Sequence, residues 1–244
     1  MSGHSKWATI KRKKGANDAA RAKIWTKIAR EILVAVKEGG SGDPSINPRL
    51  RDAIAKARAN NMPNDNIQRN IKKGEGGADG TNFTEVFYEG YGAGSVAIIV
   101  HGNTDNKNRT AADIRHAFDK CGGNLGQSGS VAFMFNQMGE IQIKRDEKIS
   151  DIDEFELNAI DAGAEDIDLD DDEKISVYTK LDEMKQTTDK LKEFGYTIMD
   201  SDVTYLPQTE VKIDDEKKLA DFEKLMNMLD ENDDVVDVFT NLGE

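Results

Sequence analysis

Apolar residues between positions 24 and 36 recur every three or four places, a spacing that predicts a helix. It starts at Asn17 or Asp18, either a competent N-cap, and stops at Gly39-Gly40. Ile24, Trp25, Ile28, Ala29, Ile32, Leu33 and Val36 fall on one side, and Lys23, Lys27, Arg30 and Lys37 on the other. The pattern describes a core-facing helix with a cationic outer stripe. Asn47-Pro48, a cap followed by proline at the first helical position, opens a second helix with Leu50, Ala53, Ile54 and Ala57 inward. Arg49 and Lys56 flank that face on one side, Arg51 and Arg58 on the other. A short third helix follows Met62-Pro63, with Ile67 and Ile71 a turn apart and Gly74 as its stop. Residues 1–15 are polar, basic and too poor in apolar surface to fold alone, so they read as an extended arm. GEGGADG, residues 74–80, reads as a hinge.

Beyond the hinge the period shortens. FTEVFYEG (83–90) alternates, and SVAIIV (95–100) is the continuous apolar run of a central strand. A helix is expected from about Asn108 to Cys121, a strand at VAFMF (131–135), a helix over Asp214–Glu231 and a strand at VVDVF (235–239). The intervening stretch repeats the type of unit. It reads as strand Ile141–Ile143, helix Ile152–Ala162, strands near Ile167–Leu169 and Ile175–Tyr178, helix Glu183–Phe194 and strand Tyr196–Ile198. The expected class is α+β: an N-terminal three-helix domain followed by two ferredoxin-like α+β domains, one inserted in the other. The boundaries are 1–77 for the basic helical domain with its arm, 78–138 with 206–244 for the split domain, and 139–205 for the acidic insertion.

Charge changes this picture. The 244 residues carry 33 basic and 46 acidic side chains, a formal net charge of −13. Residues 1–75 nevertheless hold 17 Lys/Arg against 7 Asp/Glu, and the first 30 hold nine against one. Such asymmetry points to an anionic partner, nucleic acid above all, at the basic end. The competing reading is that the opposite charges attract one another within the protein or between copies. A hydrophobic fraction of 37% suits several thin cores. The single cysteine, Cys121, excludes an internal disulfide and a multi-cysteine metal site, and fits a reducing compartment. No apolar run reaches the ~18 residues of a membrane span, and the basic N-terminus lacks the apolar stretch of a secretory signal.

Lys11-Arg12-Lys13-Lys14 is the sharpest local feature, because consecutive cations on a pliable segment neutralise phosphates without sequence preference. Lys6 joins that arm, and Lys23, Lys27 and Arg30 extend the track along the first helix. His4 and Trp7 are placed to stack on bases. No helix-turn-helix is established, the loops being long and glycine-rich, so phosphate contact is better supported than base readout. Asn106, Lys107, Asn108 and Arg109, between a buried strand and a helix start, form a candidate second contact surface. No metal site is expected. Asp166, Asp168 and Asp170 are spaced like the opening of a calcium loop, but Asp171 stands at the turn glycine and Val177 at the bidentate glutamate, so a solvated hairpin tip fits better. GYGAGS (90–95) lacks the Lys-Ser/Thr ending of a phosphate loop and reads as a tight hairpin. Cys121 and His116, five apart on one helix, cannot pair locally, and His101 has no carboxylate neighbour in sequence. No catalytic residue, enzyme activity or cofactor is expected.

Five ordered blocks carry a resemblance: GHSKWATIKRKKGANDAARAKIWTKIAREI, NPRLRDAIAKARANNMPNDNIQRNIKKG, YEGYGAGSVAIIV, TDNKNRTAADIRHAF and GGNLGQSGSVAFMF. Together they resemble the YebC/PmpR family, which includes the mitochondrial translational activator of cytochrome oxidase subunit one. Departures are Ala93 where proline is usual, Ser95 where glycine is usual, and His101-Gly102 after the central strand. The resemblance implies three domains and no known catalytic activity. It also implies a DNA-binding transcriptional regulator, or alternatively a ribosome-associated translation factor contacting ribosomal RNA. A second alternative is an adaptor whose acidic domains recruit a protein partner. The first block begins at Met1, from which a cytoplasmic bacterial protein without a transit peptide is expected.

If the arm is the main contact, changing Lys11, Arg12, Lys13 and Lys14 to alanine should shrink the slope of log affinity against log salt. The loss is about 0.9 per missing phosphate contact on duplex DNA and about 0.7 on single strands. Titrations at several salt concentrations read this directly, and an unchanged slope would remove the arm from the interface.

Overall fold

The computed structural model describes residues 18–76 and 83–243. Residues 135–206 form one compact unit, and the other described residues form a second. The arm at 1–15 and most of the 74–80 hinge lie outside the described residues. The fold is α+β, with three helices ahead of two four-stranded sheets, each carrying helices of its own.

The three helices are α1 (Asp18–Gly39), α2 (Pro48–Ala59) and α3 (Asn64–Gly74). Ile28, Ile32, Ala35 and Val36 of α1 interlock with Leu50, Ala53, Ile54 and Ala57 of α2 and with Ile67 and Ile71 of α3. Asn47 ties the first two helices together. Its Oδ1 accepts from the Leu50 amide at 3.0 Å to cap α2, while Nδ2 donates to Ala35 and Ser41 carbonyls at 2.8 and 2.9 Å near the end of α1. The α1 apolar side is not as wide as its periodicity suggests, since Ile24 stays 44% exposed. A second side of the same helix is buried instead. Leu33 and Val34 pack with Phe83, and α1 lies against the strand Ala97–Thr104 of the first sheet.

That sheet comprises β1 (Thr84–Tyr91), β2 (Ala97–Thr104), β3 (Asn124–Leu125) and, from the C-terminus, β8 (Val235–Thr240), in the antiparallel order β3-β1-β2-β8. Helices α4 (Lys107–Lys120) and α7 (Glu216–Glu231) cover one face, closing a core of Ile98, Val100, Ile114, Phe118, Phe222 and Leu225. In the other unit, β4 (Phe135–Lys144), α5 (Ile152–Ala162), β5 (Asp166–Asp168), β6 (Lys174–Thr179), α6 (Met184–Glu193) and β7 (Ile198–Pro207) follow in sequence. Their strand order is β5-β6-β4-β7, around Ile141, Ile143, Phe155, Ile175, Val177 and Leu191. The two sheets share a layout but differ in wiring, because the central strands of the first are joined directly as a hairpin.

Two local expectations are corrected. VAFMF is not a strand: Ala132–Met134 is a single 3-10 turn, and β4 begins only at Phe135. The cause is Glu89, a buried carboxylate on β1. It accepts from the amides of Gly129, Val131 and Ala132 at 2.7, 2.8 and 2.8 Å, holding them away from any ladder. The second correction is β3, a two-residue strand inside GGNLGQSG, which pairs with Gly90-Tyr91.

The β1–β2 hairpin turns through Gly92–Val96, with the Gly92 amide on the Val96 carbonyl at 2.8 Å. Gly94 at φ 74° and Ser95 at φ 62° both take the left-handed conformation. Ser95 sits in this turn at a cost, since a Cβ is disfavoured in that conformation. Ser95→Gly should raise the unfolding free energy by about 1 kcal/mol, measured by urea denaturation. A destabilised variant would show that the serine side chain outweighs the backbone strain.

Candidate nucleic-acid interface

Lys23, Lys27, Arg30 and Val34 are spaced four, three and four along α1, so they form one stripe. The structure turns this stripe toward the first sheet's unit, not toward solvent. Lys23 Nζ lies 3.2 Å and Lys27 Nζ 3.3 Å from the Asp230 carboxylate on α7. Arg30 Nη1 lies 2.7 Å from Asp234 Oδ1, and its guanidinium sits 5.6 Å from the Phe83 ring centre. Lys37 donates to the Phe83 carbonyl at 3.4 Å. The expected outer stripe is therefore corrected to an internal one. Opposite charges attract within the chain, and these cations dock α1 onto α7 and the loop before β8.

Asp234 is the centre of that contact, with its side chain 5% exposed. Its Oδ2 accepts from Thr110 Oγ1 at 2.6 Å, Arg109 Nη2 at 2.9 Å and Thr104 Oγ1 at 3.2 Å, while Oδ1 takes Arg30. Burial pushes the carboxyl pKa up, but the hydrogen bonds from Thr110 and Arg109 and the two guanidinium charges more than offset it, leaving the pKa below its ordinary value. Gly102 makes room: a Cβ there would stand 2.6 Å from the Asp234 carbonyl, at a register shift between β2 and β8.

The expected second surface is divided by the same network. Asn106 caps α4, accepting from the Arg109 amide at 3.1 Å. Arg109 bridges Asp105 at 2.8 Å and Asp234 at 2.9 Å, and hydrogen bonds to these two carboxylates raise its pKa further. Lys107 and Asn108 are exposed, and Lys107 enters no ion pair among the described residues. Lys6, Lys11, Arg12, Lys13 and Lys14, with His4 and Trp7, fall outside the described residues.

A second carboxylate joins α2 to β1. Glu85 lies 2.6 Å from Arg49 and 2.9 Å from His101 Nε2, and Arg49 also pairs with Glu38. The His101 hydrogen bond, opposed by burial and aided by the Arg49 charge, brings the Glu85 pKa down to about 2. His101, which has no carboxylate beside it in sequence, thus gains one across the β1–β2 ladder.

Subtracting these pairs leaves a different set of cations facing outward. Arg51, Arg58, Arg69, Lys72 and Lys73, on α2 and α3, are exposed and enter no ion pair among the described residues. Arg69, Lys72 and Lys73 escape a reading of the sequence because nothing in it says which cations find carboxylates. Helices α2 and α3 are joined by only four residues, Asn60–Pro63, with Asn61 at φ 56°. That connection is tighter than the long loops expected, and has the length found in helix-turn-helix units. Beside α3 an open groove of about 300 Å³ separates it from α1.

Cys121 is 1% exposed with its Sγ 3.8 Å from Met228 Sδ, and burial pushes its thiol pKa up. Residues 169–173 form the hairpin turn between β5 and β6, in which Asp168 and Asp171 accept from the Asp170 and Glu173 amides and Arg145 donates to the Leu169 and Asp171 carbonyls. No cluster of three or more His, Cys, Asp or Glu that could hold a metal ion occurs among the described residues, and no helix among them is long and apolar enough to cross a membrane.

The fold and the site define a three-helix basic domain docked by ion pairs onto an α+β unit. Residues 5–77 match the TACO1/YebC protein N-terminal domain, and residues 83–242 match the TACO1/YebC second and third domain. The chain belongs to the TACO1/YebC family. It is 51% identical over 241 residues to a "Probable transcriptional regulatory protein" of Finegoldia magna, covering 99% of this chain and 98% of the relative. A protein of the same description from Ruminiclostridium cellulolyticum is 50% identical over 231 residues, covering 95% and 92%. A crystal structure of a conserved hypothetical protein from Aquifex aeolicus superposes with a TM-score of 0.89 at 43% identity, covering 98% of this chain and 97% of that one.

Asp234→Asn keeps the shape but removes the charge that Arg30 and Arg109 face. It should cost about 3 kcal/mol near neutral pH, read as a shift in the urea unfolding curve. Because the folded pKa lies below the ordinary 3.8, the native carboxylate stabilises fully above that value and loses its effect as pH falls through the folded one. The gap between the two proteins should therefore narrow below about pH 4. A gap that is constant down to pH 2 would contradict the assignment.

Proposed function

We propose that this protein is a non-enzymatic, nucleic-acid-binding regulator of gene expression whose helical domain makes the contact. The observation that carries this reading is the separation of its cations. Lys23, Lys27 and Arg30 of α1 pair with Asp230 and Asp234, whereas Arg51, Arg58, Arg69, Lys72 and Lys73 face solvent without an ion pair among the described residues. A strongly acidic chain that keeps such a group outward is suited to contact phosphate through one domain while its remaining surface is repelled. The basic arm, Lys6 and Lys11–Lys14, would extend the same surface. Relatives named as transcriptional regulatory proteins support regulation, and the short α2–α3 turn favours duplex DNA. Ribosomal RNA is the second reading, favoured by the groove between α1 and α3. A protein partner for the acidic unit fits Leu157 and Ile160, 65% and 59% exposed on α5. The reading places the protein in the cytoplasm and needs no cofactor.

The test is binding of the full-length protein to labelled duplex DNA and to a ribosomal RNA stem-loop across a salt series. Binding should weaken with salt, be indifferent to chelator, and weaken further in an Arg58→Glu, Lys72→Glu variant. Absence of salt-dependent binding to either probe would overturn the proposal, as would a double variant that binds like the parent.

A further inference from the structure

The groove between α1 and α3 is shaped by residue size. Ala22, Thr26 and Ala29, spaced four and three along α1, leave room that longer side chains would fill, and Trp25 lies among them. The Trp25 indole is half-buried, and its Nε1 donates to the Asn60 carbonyl at 2.9 Å, so the ring is held in place while part of it stays open. From α3 come Asn66, Arg69 and Asn70, one turn's worth of polar side chains.

We propose that this groove receives one unstacked base of a single-stranded or looped nucleic acid, its phosphate lying at Arg69; the proposal rests on the nucleic-acid reading above and names its site. An immobilised aromatic ring is a ready platform for a base, because every base has a π-face. The Asn66 side-chain amide makes no hydrogen bond among the described residues, and Asn70 uses only its Nδ2, on the Asn66 carbonyl at 2.9 Å. Both can therefore offer donors or acceptors to a base edge. Arg69 is exposed and enters no ion pair among the described residues. Among the described residues no carboxylate lines the groove. The volume sits at the low end of the ~300–1,000 Å³ of ligand clefts, room for a flat ring and not for a packed helix. An apolar side chain of a protein partner would leave the guanidinium and both amides unmatched.

The full-length protein with Trp7→Phe keeps Trp25 as its one tryptophan, so its emission reports on the groove. The probes are oligouridine, oligodeoxythymidine, an abasic strand of equal length and a DNA duplex. Base-bearing strands should quench Trp25 and bind at least about five-fold more tightly than the abasic strand, the size of one base stack. The two base-bearing strands distinguish an RNA from a DNA source. Asn66→Ala, which removes a base-edge hydrogen bond but keeps the Trp25 platform, should narrow the preference over the abasic strand, and Arg69→Ala should weaken both base-bearing and abasic strands. If all strands bind but the abasic strand or the duplex quenches equally, the groove is not a base site although the nucleic-acid reading stands. If deleting residues 1–15 changes Trp25 emission and base-bearing strands then leave it unaltered, the chain itself is the occupant and the proposal fails. If no probe binds, both readings fall.

Discussion

The carboxylate of Asp234 is the constraint on which the N-terminal half of the architecture depends. Removing a charge from water costs several kcal/mol, and the native state tolerates it only where partners surround the group. Here the partners come from α1 (Arg30), β2 (Thr104) and the first turn of α4 (Arg109, Thr110), while Asp234 itself immediately precedes β8. Three regions distant in sequence, α1, the β2–α4 junction and the segment before β8, are therefore positioned by one group. The glycine at 102 and the register shift beside it are the backbone's accommodation to that arrangement.

The same device recurs on β1. Glu89 gathers three amides of the 129–132 turn, which would otherwise lack partners, and Glu85 joins α2 to the β1–β2 hairpin through Arg49 and His101. Hydrogen bonds favour the ionised form of both carboxyls, from backbone amides at Glu89 and from His101 with the Arg49 charge at Glu85. Acidic residues in this unit are thus partly structural. They anchor irregular backbone and fasten the helices, and they decide which basic residues remain outside.

That selection shapes the exposed basic surface. Lys23, Lys27 and Arg30 are closer to the basic arm in sequence than Arg69 or Lys73, yet the former are tied to α7 and the segment before β8. Cations of α3 point elsewhere and stay exposed. A phosphate backbone meeting this domain would encounter α2 and α3, where a groove floored by Met62 and bordered by Trp25 adds an aromatic feature to the charge.

Much of the fold was legible in the chain before any tertiary contact was known. The helix at 152–162 has the bounds its sequence predicts, Asn47-Pro48 opens α2, and the apolar run at 96–100 is the buried centre of a sheet. These elements follow from local rules: side-chain period, caps and proline geometry act within a few residues of one another. The family was legible for a related reason, since its ordered blocks are continuous segments. The paired fate of Lys27 and Arg30, the Glu85–His101 contact, the turn at 132–134 and the tryptophan groove were not. Each depends on groups that the sequence separates and packing brings within a few ångströms, as Arg30 and Asp234 are, 204 positions apart. Periodicity alone identified the stripe on α1, but only the tertiary structure decided that it faces carboxylates and not solvent, because a cation's partner is set by distance in space.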